Sequence, residues 1–382
     1  MHRDDRRSTD QCFSRGPRWR DLRRVEMTDY PDWPTIAGSH RVRGRNFPRL
    51  AEDMPSFLGV PIAISPKDLK QADIVIIGAP FAAGWGAQYS GVDKELWLAG
   101  PKRVRQQSIR YGGYVQDFDL DILEELKIVD YGDAAIPPEA NYAATVENIL
   151  RAQAAVEAKV NDVLDAGAIP IVIGQNSPCG SYAIAKPIAE RATGNVGVIS
   201  LDTHWDSRPI DWATMDPRIA GSGNWKAKLY EFHKNVTVPN LVEIGERGML
   251  EDKSYVRRFV REGAHFVPMW RIRAEFGLEG ALELLAKAYH GTSDVYVHFD
   301  MDVLGGAGPA PGDLLGDLAE PIGMTDYEVI RIAHEVGLRG LSGLSFICIP
   351  PGSAVTYRTI VYVITYLLAG LALSRRRKLT GA

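Results

Sequence analysis

The chain has 382 residues, and 45% of them are hydrophobic, so it can bury a full core in one large or two medium-sized domains. Its formal net charge of −4 gives no reason to expect a nucleic-acid partner. Cys12, Cys179 and Cys348 are far apart and odd in number, which argues against a disulfide framework and favours a reducing cytoplasm.

Residues 1–54 are predicted to form an extended arm, followed by a single domain over 55–382. The arm is rich in arginine, proline and aspartate, poor in aliphatic residues, and without the apolar core of a signal peptide. Aspartates interrupt its arginines, so we expect a packing or subunit-wrapping segment and no nucleic-acid tail. Met27 is a second candidate start of translation.

From about residue 55, apolar strand-like runs alternate with helical stretches. This alternation predicts an α/β fold with three α-β-α layers and a mainly parallel central sheet. The predicted strands are 73–78, 127–130, 169–174, 196–202, 241–245, 264–268, 295–303 and 344–349, and the long helices are 139–167, 279–290 and 325–338.

The C-terminal segment from Thr359 to Leu373 is nearly all apolar and precedes a basic run. At about fifteen residues it is shorter than the roughly twenty that cross a bilayer. We therefore expect a buried terminal helix and no membrane association.

Two predicted strands end in acidic residues. Asp202, His204 and Asp206 follow the run 196–202 at spacings of two, which in an extended backbone directs all three side chains to one face. Asp300 and Asp302 end the run 295–303. If the strands are parallel neighbours, the five side chains meet at the carboxyl edge of the sheet, where α/β proteins bind ligands.

Carboxylates crowded in this way require a positive charge, because nearby like charges disfavour joint ionisation. An imidazole among them favours manganese, nickel, iron or zinc over magnesium and calcium. The pattern predicts a divalent metal site; solvated aspartates at two strand ends are the alternative.

The two motifs, Asp202-Thr-His204-Trp-Asp206 and His298-Phe-Asp300-Met-Asp302, resemble D-A-H-x-D and S-x-D-x-D of the ureohydrolases, which include arginase, agmatinase and formiminoglutamase. Segments 74–80, 127–133 and 244–248 resemble further motifs of that family, in the same order. The resemblance implies an arginase-like fold in trimers or hexamers. It also implies one complete metal position, formed by Asp202, His204, Asp300 and Asp302.

The other metal position, with Asp202, Asp206 and Asp300, lacks its nitrogen ligand, because Asn176 stands where the family has a histidine. Ala220 replaces the histidine of an H-G pair that helps to transfer protons, and Cys348 replaces a glutamate that pairs with the guanidinium. A glycine-rich insertion, 304–308, replaces the family's D-P pair. The resemblance therefore implies weaker metal binding at Asn176, loss of the proton-transfer histidine at Ala220 and loss of the substrate's counter-ion at Cys348.

Three interpretations follow from the resemblance. In the first, the chain is a subunit with little or no activity, in which manganese or nickel is partial or absent. It supports an intact ureohydrolase paralogue in a hetero-oligomer similar to metformin hydrolase, which acts on a small guanidine-type substrate. In the second, it is a self-sufficient hydrolase with one or two metals, Asn176 serving as a weak oxygen ligand. In the third, it binds a guanidine compound as a sensor. No catalytic residue is assigned.

Overall fold

The structure is a computed structural model that describes residues 36–37, 41–42, 47–83, 93–209, 216–249, 251–305, 320–351 and 354–380. Most of the predicted arm and most of the glycine-rich insertion lie outside these residues. Within the last part of the arm, Arg49–Ala51 pairs with Met54–Pro55 in a short antiparallel ribbon. The proposed division at residue 54 stays a prediction.

A parallel sheet of eight strands forms the centre of the described residues. Its strands, numbered along the chain, occur in the order β6-β5-β4-β7-β8-β3-β1-β2, and every neighbouring pair is parallel. The strands are β1 Ile74–Ala79, β2 Ile128–Asp133, β3 Ile169–Gly174, β4 Asn195–Leu201, β5 Val236–Ile244, β6 His265–Val267, β7 Thr292–Asp300 and β8 Gly343–Ile347.

Successive residues of each strand point into two different hydrophobic cores, one on each face of the sheet. Ile76 and Ile199, for example, pack in one core, and Val75 and Val198 in the other. The helices that cover these faces are α1 Lys94–Leu98, α2 Gly100–Ser108, α3 Ile122–Glu125, α4 Val146–Asp165, α5 Ala183–Arg191, α6 Trp225–Phe232, α7 Lys253–Arg261, α8 Met269–Arg271, α9 Gly277–Leu284, α10 Asp326–Arg339 and α11 Ala354–Thr380. The predicted three-layer α/β class is confirmed.

The eight predicted strands correspond to the eight observed, but several details of the prediction are wrong. β7 ends at Asp300, and Met301–Val303 is a 3-10 turn. The predicted helix over 139–167 begins only at Val146, after a 3-10 turn. Helices α2 and α5 were not anticipated, because α2 begins with Gly-Pro and α5 contains Pro187, residues that interrupt a helical pattern in sequence.

The C-terminal helix is also longer than expected, with 27 residues in α11. The argument from a short length was therefore wrong: Ala354–Leu379 is long and apolar enough to span a bilayer by composition alone. However, 72% of its most apolar window is buried inside the chain, where residues such as Ile360 and Leu368 join the hydrophobic core. This burial is typical of the core helix of a globular domain.

Candidate metal centre

Strand register brings the two acidic motifs together. β4 and β7 are parallel neighbours in which Leu201 lies opposite Phe299, so Asp202 and Asp300 occur side by side at the carboxyl edge. We call the five side chains at this edge the acidic basin: Asp202, His204, Asp206, Asp300 and Asp302.

The route by which these side chains meet differs from the prediction. β4 ends at Leu201, and Asp206 adopts a left-handed backbone conformation with φ of 45°, so the first three side chains do not alternate along a strand. His204 and Asp206 consequently belong to different groups. Within the described residues, three sets of candidate ligand atoms lie within 4.8 Å of one another: Asp202, His204 and Asp302; Asp202, Asp206 and His298; and Asp300, Asp302 and Cys348.

Backbone hydrogen bonds fix the two loops of the basin against each other. The Thr203 amide donates to Oδ1 of Asp302 at 3.1 Å, and its hydroxyl donates to the Asp302 carbonyl at 2.7 Å. The guanidinium of Arg247, in the motif 244–248, donates to the carbonyls of Asp302 at 2.9 Å and Val303 at 3.1 Å. The charged guanidinium thus holds the β7 loop without contacting the carboxylates directly.

A row of polar side chains lies below the basin, on one face of the sheet. Ser345, His298, Ser200 and Glu243 are consecutive neighbours across β8, β7, β4 and β5, and all are fully buried. We call these four residues the polar row. A serine, a histidine and a glutamate inside otherwise apolar strands were the sequence signals for it, because such residues are seldom buried without a partner.

Lys226 of α6 is the cation that accompanies the polar row. Its Nζ lies 2.9 Å from Oε2 of Glu243, 3.0 Å from Oγ of Ser200 and 3.7 Å from Oδ2 of Asp202, and its side chain is fully buried. Its acidic neighbours raise the pKa of the ammonium against the opposing effect of burial. Sequence reasoning missed Lys226, because nothing in the stretch 220–232 marks a lysine that points inwards.

The aspartates of the basin differ in pKa because their surroundings differ. Burial and the neighbouring carboxylates raise the pKa values of Asp206 and Asp300 well above the ordinary aspartate value. Burial acts on Asp202 in the same direction, but Lys226 and His298 outweigh it, and the pKa of Asp202 is lowered. Asp202 is therefore ionised at neutral pH, whereas the surroundings of Asp206 and Asp300 favour their neutral forms.

The imidazoles also differ. Burial disfavours the charge of His204, but Asp302, whose Oδ2 is 3.1 Å from Nδ1, raises the pKa of His204 to about 10. His298 is fully buried against the Trp225 ring, at 4.7 Å between centroids, and burial lowers its pKa. Its Nε2 is 3.7 Å from Oδ2 of Asp202, a distance compatible with a place behind the ligands and with direct ligation.

The basin fits a divalent cation. Oδ2 of Asp202 and both ring nitrogens of His298 are buried without a hydrogen-bond partner, whereas Oδ2 of Asp302 is paired with Nδ1 of His204 at 3.1 Å. Buried polar atoms without a partner are uncommon. A divalent cation would satisfy them, because carboxylate oxygens and imidazole nitrogens are common metal ligands. The assignment of Asp202, His204, Asp206, Asp300 and Asp302 as ligands stays a prediction.

Three of the four departures from the family pattern are single residues, and these have different surroundings. Nδ2 of Asn176 donates to the Ala83 carbonyl at 2.9 Å, and its Oδ1 accepts from the Ser222 hydroxyl. Ala220 is buried, and its amide donates to Oε1 of Gln153 at 3.2 Å. Cys348 lies beside Asp300 and Asp302 and is the one departure that adds a possible metal ligand to the basin.

An eight-stranded parallel sheet with two acidic motifs at its carboxyl edge defines an arginase-like α/β protein. The Arginase family model matches residues 72–369, so the chain belongs to the arginase family, the ureohydrolases.

Curated relatives agree with this assignment. Formimidoylglutamase of Halobacterium salinarum is 26% identical over 290 residues, which cover 72% of this chain and 85% of the relative. Guanidinobutyrase of Pseudomonas aeruginosa is 26% identical over 310 residues, covering 77% and 84%.

Among solved structures, proclavaminate amidino hydrolase of Streptomyces clavuligerus superposes with a TM-score of 0.69 at 23% identity, over 86% of this chain and 99% of that chain. Formiminoglutamase of Trypanosoma cruzi, solved with Mn²⁺, gives a TM-score of 0.64 at 25% identity, over 84% and 99%. The first of these likenesses concerns the fold alone.

Proposed function

We propose that this chain is a non-catalytic or weakly catalytic subunit of a ureohydrolase-type complex. The complex hydrolyses C–N bonds of a guanidine or biguanide compound, as metformin hydrolase does, and an intact paralogue supplies the main metal centre. The fully buried ammonium of Lys226, 3.7 Å from Asp202, is the observation that carries this proposal.

Lys226 lowers the capacity of the basin for metal ions. It already provides a positive charge beside Asp202, and its field also reaches Asp206. A second divalent ion at the Asp202, Asp206 and His298 group would be repelled by this fixed cation in a medium of low dielectric. We therefore expect at most one ion, bound around Asp302, which belongs to both of the other groups.

Asn176 supports the same conclusion. Its amide already makes one hydrogen bond at each end, to the Ala83 carbonyl and from the Ser222 hydroxyl. The side chain thereby ties three loops together. Moving it to ligate a cation would break both contacts, so its interactions favour a structural role.

A bound divalent ion would supply positive charge that polarises a substrate and lowers the pKa of water. Among the described residues, the two at the family's proton-transfer and counter-ion positions, Ala220 and Cys348, contribute little else to the reaction. The methyl group of Ala220 cannot carry a proton. Burial and the nearby aspartates raise the pKa of the Cys348 thiol, so without a metal it stays neutral and cannot pair with a guanidinium.

The test is expression of this chain alone, of an intact paralogue alone, and of both together. Ammonia and urea release would be measured with guanidine, agmatine, guanidinobutyrate and a methylated biguanide, with manganese or nickel added. We expect turnover above that of the paralogue alone only when both chains are present. Comparable turnover by this chain alone would refute the supporting role.

A self-sufficient hydrolase is the second candidate, favoured by the group of Asp202, His204 and Asp302, in which Oδ2 of Asp202 is buried without a hydrogen-bond partner. Metal analysis separates the cases: about two ions per chain supports a binuclear enzyme, about one a mononuclear site, and none a scaffold. Replacing Asn176 with histidine should increase metal occupancy. If it does not, Asn176 is not at the family's histidine position.

A further inference from the structure

The candidate ligand groups differ in their relation to Lys226. Asp202, which is shared by two of the three groups, lies 3.7 Å from its ammonium. The group formed by Asp300, Asp302 and Cys348 is fully buried, and none of its members forms an ion pair with Lys226 among the described residues. An incoming cation therefore meets less repulsion from Lys226 here than at the two groups that contain Asp202.

The Cys348 thiol faces this position. Its sulfur and one carboxylate oxygen each of Asp300 and Asp302 all lie within 4.8 Å of one another. The group therefore offers a sulfur and two carboxylates to a single centre.

The backbone holds Cys348 in this orientation. Its φ of 52° is left-handed, which is uncommon for a residue that is not glycine, and its amide donates to the Gln175 carbonyl at 3.0 Å. The next amide, of Ile349, donates to Oε1 of Gln175 at 2.8 Å. Such enforced conformations concentrate at ligand sites.

Cys179 provides an internal comparison. It is also fully buried, but it packs in the hydrophobic core and belongs to none of the candidate ligand groups. Core filling is therefore enough to explain Cys179. It does not explain why Cys348 lies against two carboxylates.

We propose that Cys348 is a metal ligand, which together with Asp300 and Asp302 makes the basin select zinc, cobalt or nickel over manganese. On binding, the S–H bond breaks and a sulfur–metal bond forms. The proton passes to solvent, and the cation keeps its charge of 2+. A thiolate is a softer ligand than a carboxylate, and soft ligands favour the later divalent metals. The inference rests on the metal-binding basin of the proposed function.

The experiment is a cobalt(II) titration of the full chain without oxygen, followed by absorbance. We expect a thiolate-to-cobalt charge-transfer band in the near ultraviolet. Cys348→Ser should lose this band, while Cys179→Ser and Cys12→Ser should retain it. Zinc-loaded protein should show one sulfur neighbour at about 2.3 Å by X-ray absorption. Competition between zinc and manganese should shift at least tenfold towards manganese in Cys348→Ser.

The inference is overturned by cobalt that binds without a charge-transfer band, or by a band that persists in Cys348→Ser. Failure to bind cobalt or zinc at all would also overturn it. Circular dichroism of each variant checks folding, and Cys348→Ala provides a second variant of similar size. The outcome is independent of turnover. If the charge-transfer band appears but no hydrolase activity is found even in the complex with an intact paralogue, the proposed function is refuted. Cys348 is then still a metal ligand.

Discussion

Two sets of buried charges in the same sheet differ in how well they are satisfied. Near β2, the Arg105 cluster, formed by Arg105, Asp130 and Asp133, has a partner for each charge. Nε and Nη2 of Arg105 donate to the two oxygens of Asp130 at 2.8 and 2.9 Å, and Nη1 donates to Asp133 at 2.6 Å. Asp130 also accepts from the Phe57 and Gly132 amides.

The acidic basin lacks such completeness. Oδ2 of Asp302 has Nδ1 of His204 at 3.1 Å, but Oδ2 of Asp202 and both nitrogens of the adjacent His298 are buried without hydrogen-bond partners. Burying a charge or a polar group without a partner costs free energy, which a folded protein usually avoids. The contrast teaches that burial and charge alone do not identify a ligand site. Buried polar atoms that lack a hydrogen-bond partner do identify one. The Arg105 cluster has a partner for each charge, so we assign it to the scaffold.

The largest expected effect is on the scaffold. Arg105→Met leaves two aspartates without their cation, so we expect a loss of roughly 3–5 kcal/mol in the free energy of unfolding, measured with denaturant. Arg151→Met is the control, because Arg151 and Glu139 form an exposed ion pair worth about 0–1 kcal/mol. Equal losses in the two variants would contradict the assignment of Arg105 to the scaffold.

Lys226→Met should also destabilise the metal-free chain, because Glu243 and Asp202 lose their ammonium. Here, unlike at Arg105, an added divalent ion can supply the missing charge. We expect manganese or zinc to restore much of the melting temperature of Lys226→Met and none of that of Arg105→Met. We also expect more metal bound per chain than in the wild type. If metal stabilises both variants alike, the inference that a metal ion replaces the lost charge in the basin but not in the Arg105 cluster is wrong.

A smaller effect is expected from His204→Ala, measured as metal affinity. Replacing residues behind metal ligands typically costs 10–100-fold in affinity, so removing a direct ligand should cost at least about tenfold. His290→Ala is the matched control, since His290 is exposed and belongs to none of the candidate groups. Unchanged affinity in His204→Ala would exclude the imidazole as a ligand.

The fold was predictable because its signals are local. Apolar runs such as Ile74–Ala79 have the length of buried strands and are separated by helical stretches, which is the pattern of parallel α/β sheets. Among the described helices, the prediction covered only α4, α9, α10 and α11. It missed the others, among them α2, which begins with Gly-Pro, and α5, which contains Pro187.

The site was predictable only in part. Its carboxylates follow strands directly, so adjacency of β4 and β7 was enough to bring Asp202 and Asp300 together. Lys226 enters from α6, and its approach to Glu243 depends on how that helix packs on the sheet. No spacing in the sequence encodes such a contact. Cys348, by contrast, directly follows β8, the parallel neighbour of β7, and its place at a site position was inferred from the family resemblance.

The smallest expected effect concerns pH. Asp302 raises the pKa of His204 from its ordinary 6.5 to about 10. A group with a raised folded-state pKa contributes stability that is complete below the unfolded pKa and is lost as pH rises through the folded value. The melting temperature of the metal-free chain should therefore fall between pH 6.5 and 10 more than that of His204→Asn. Parallel curves would show that the basin does not raise the pKa of the His204 imidazole. With zinc present the trend should reverse, because the metal displaces the imidazole proton and binds more tightly as pH rises.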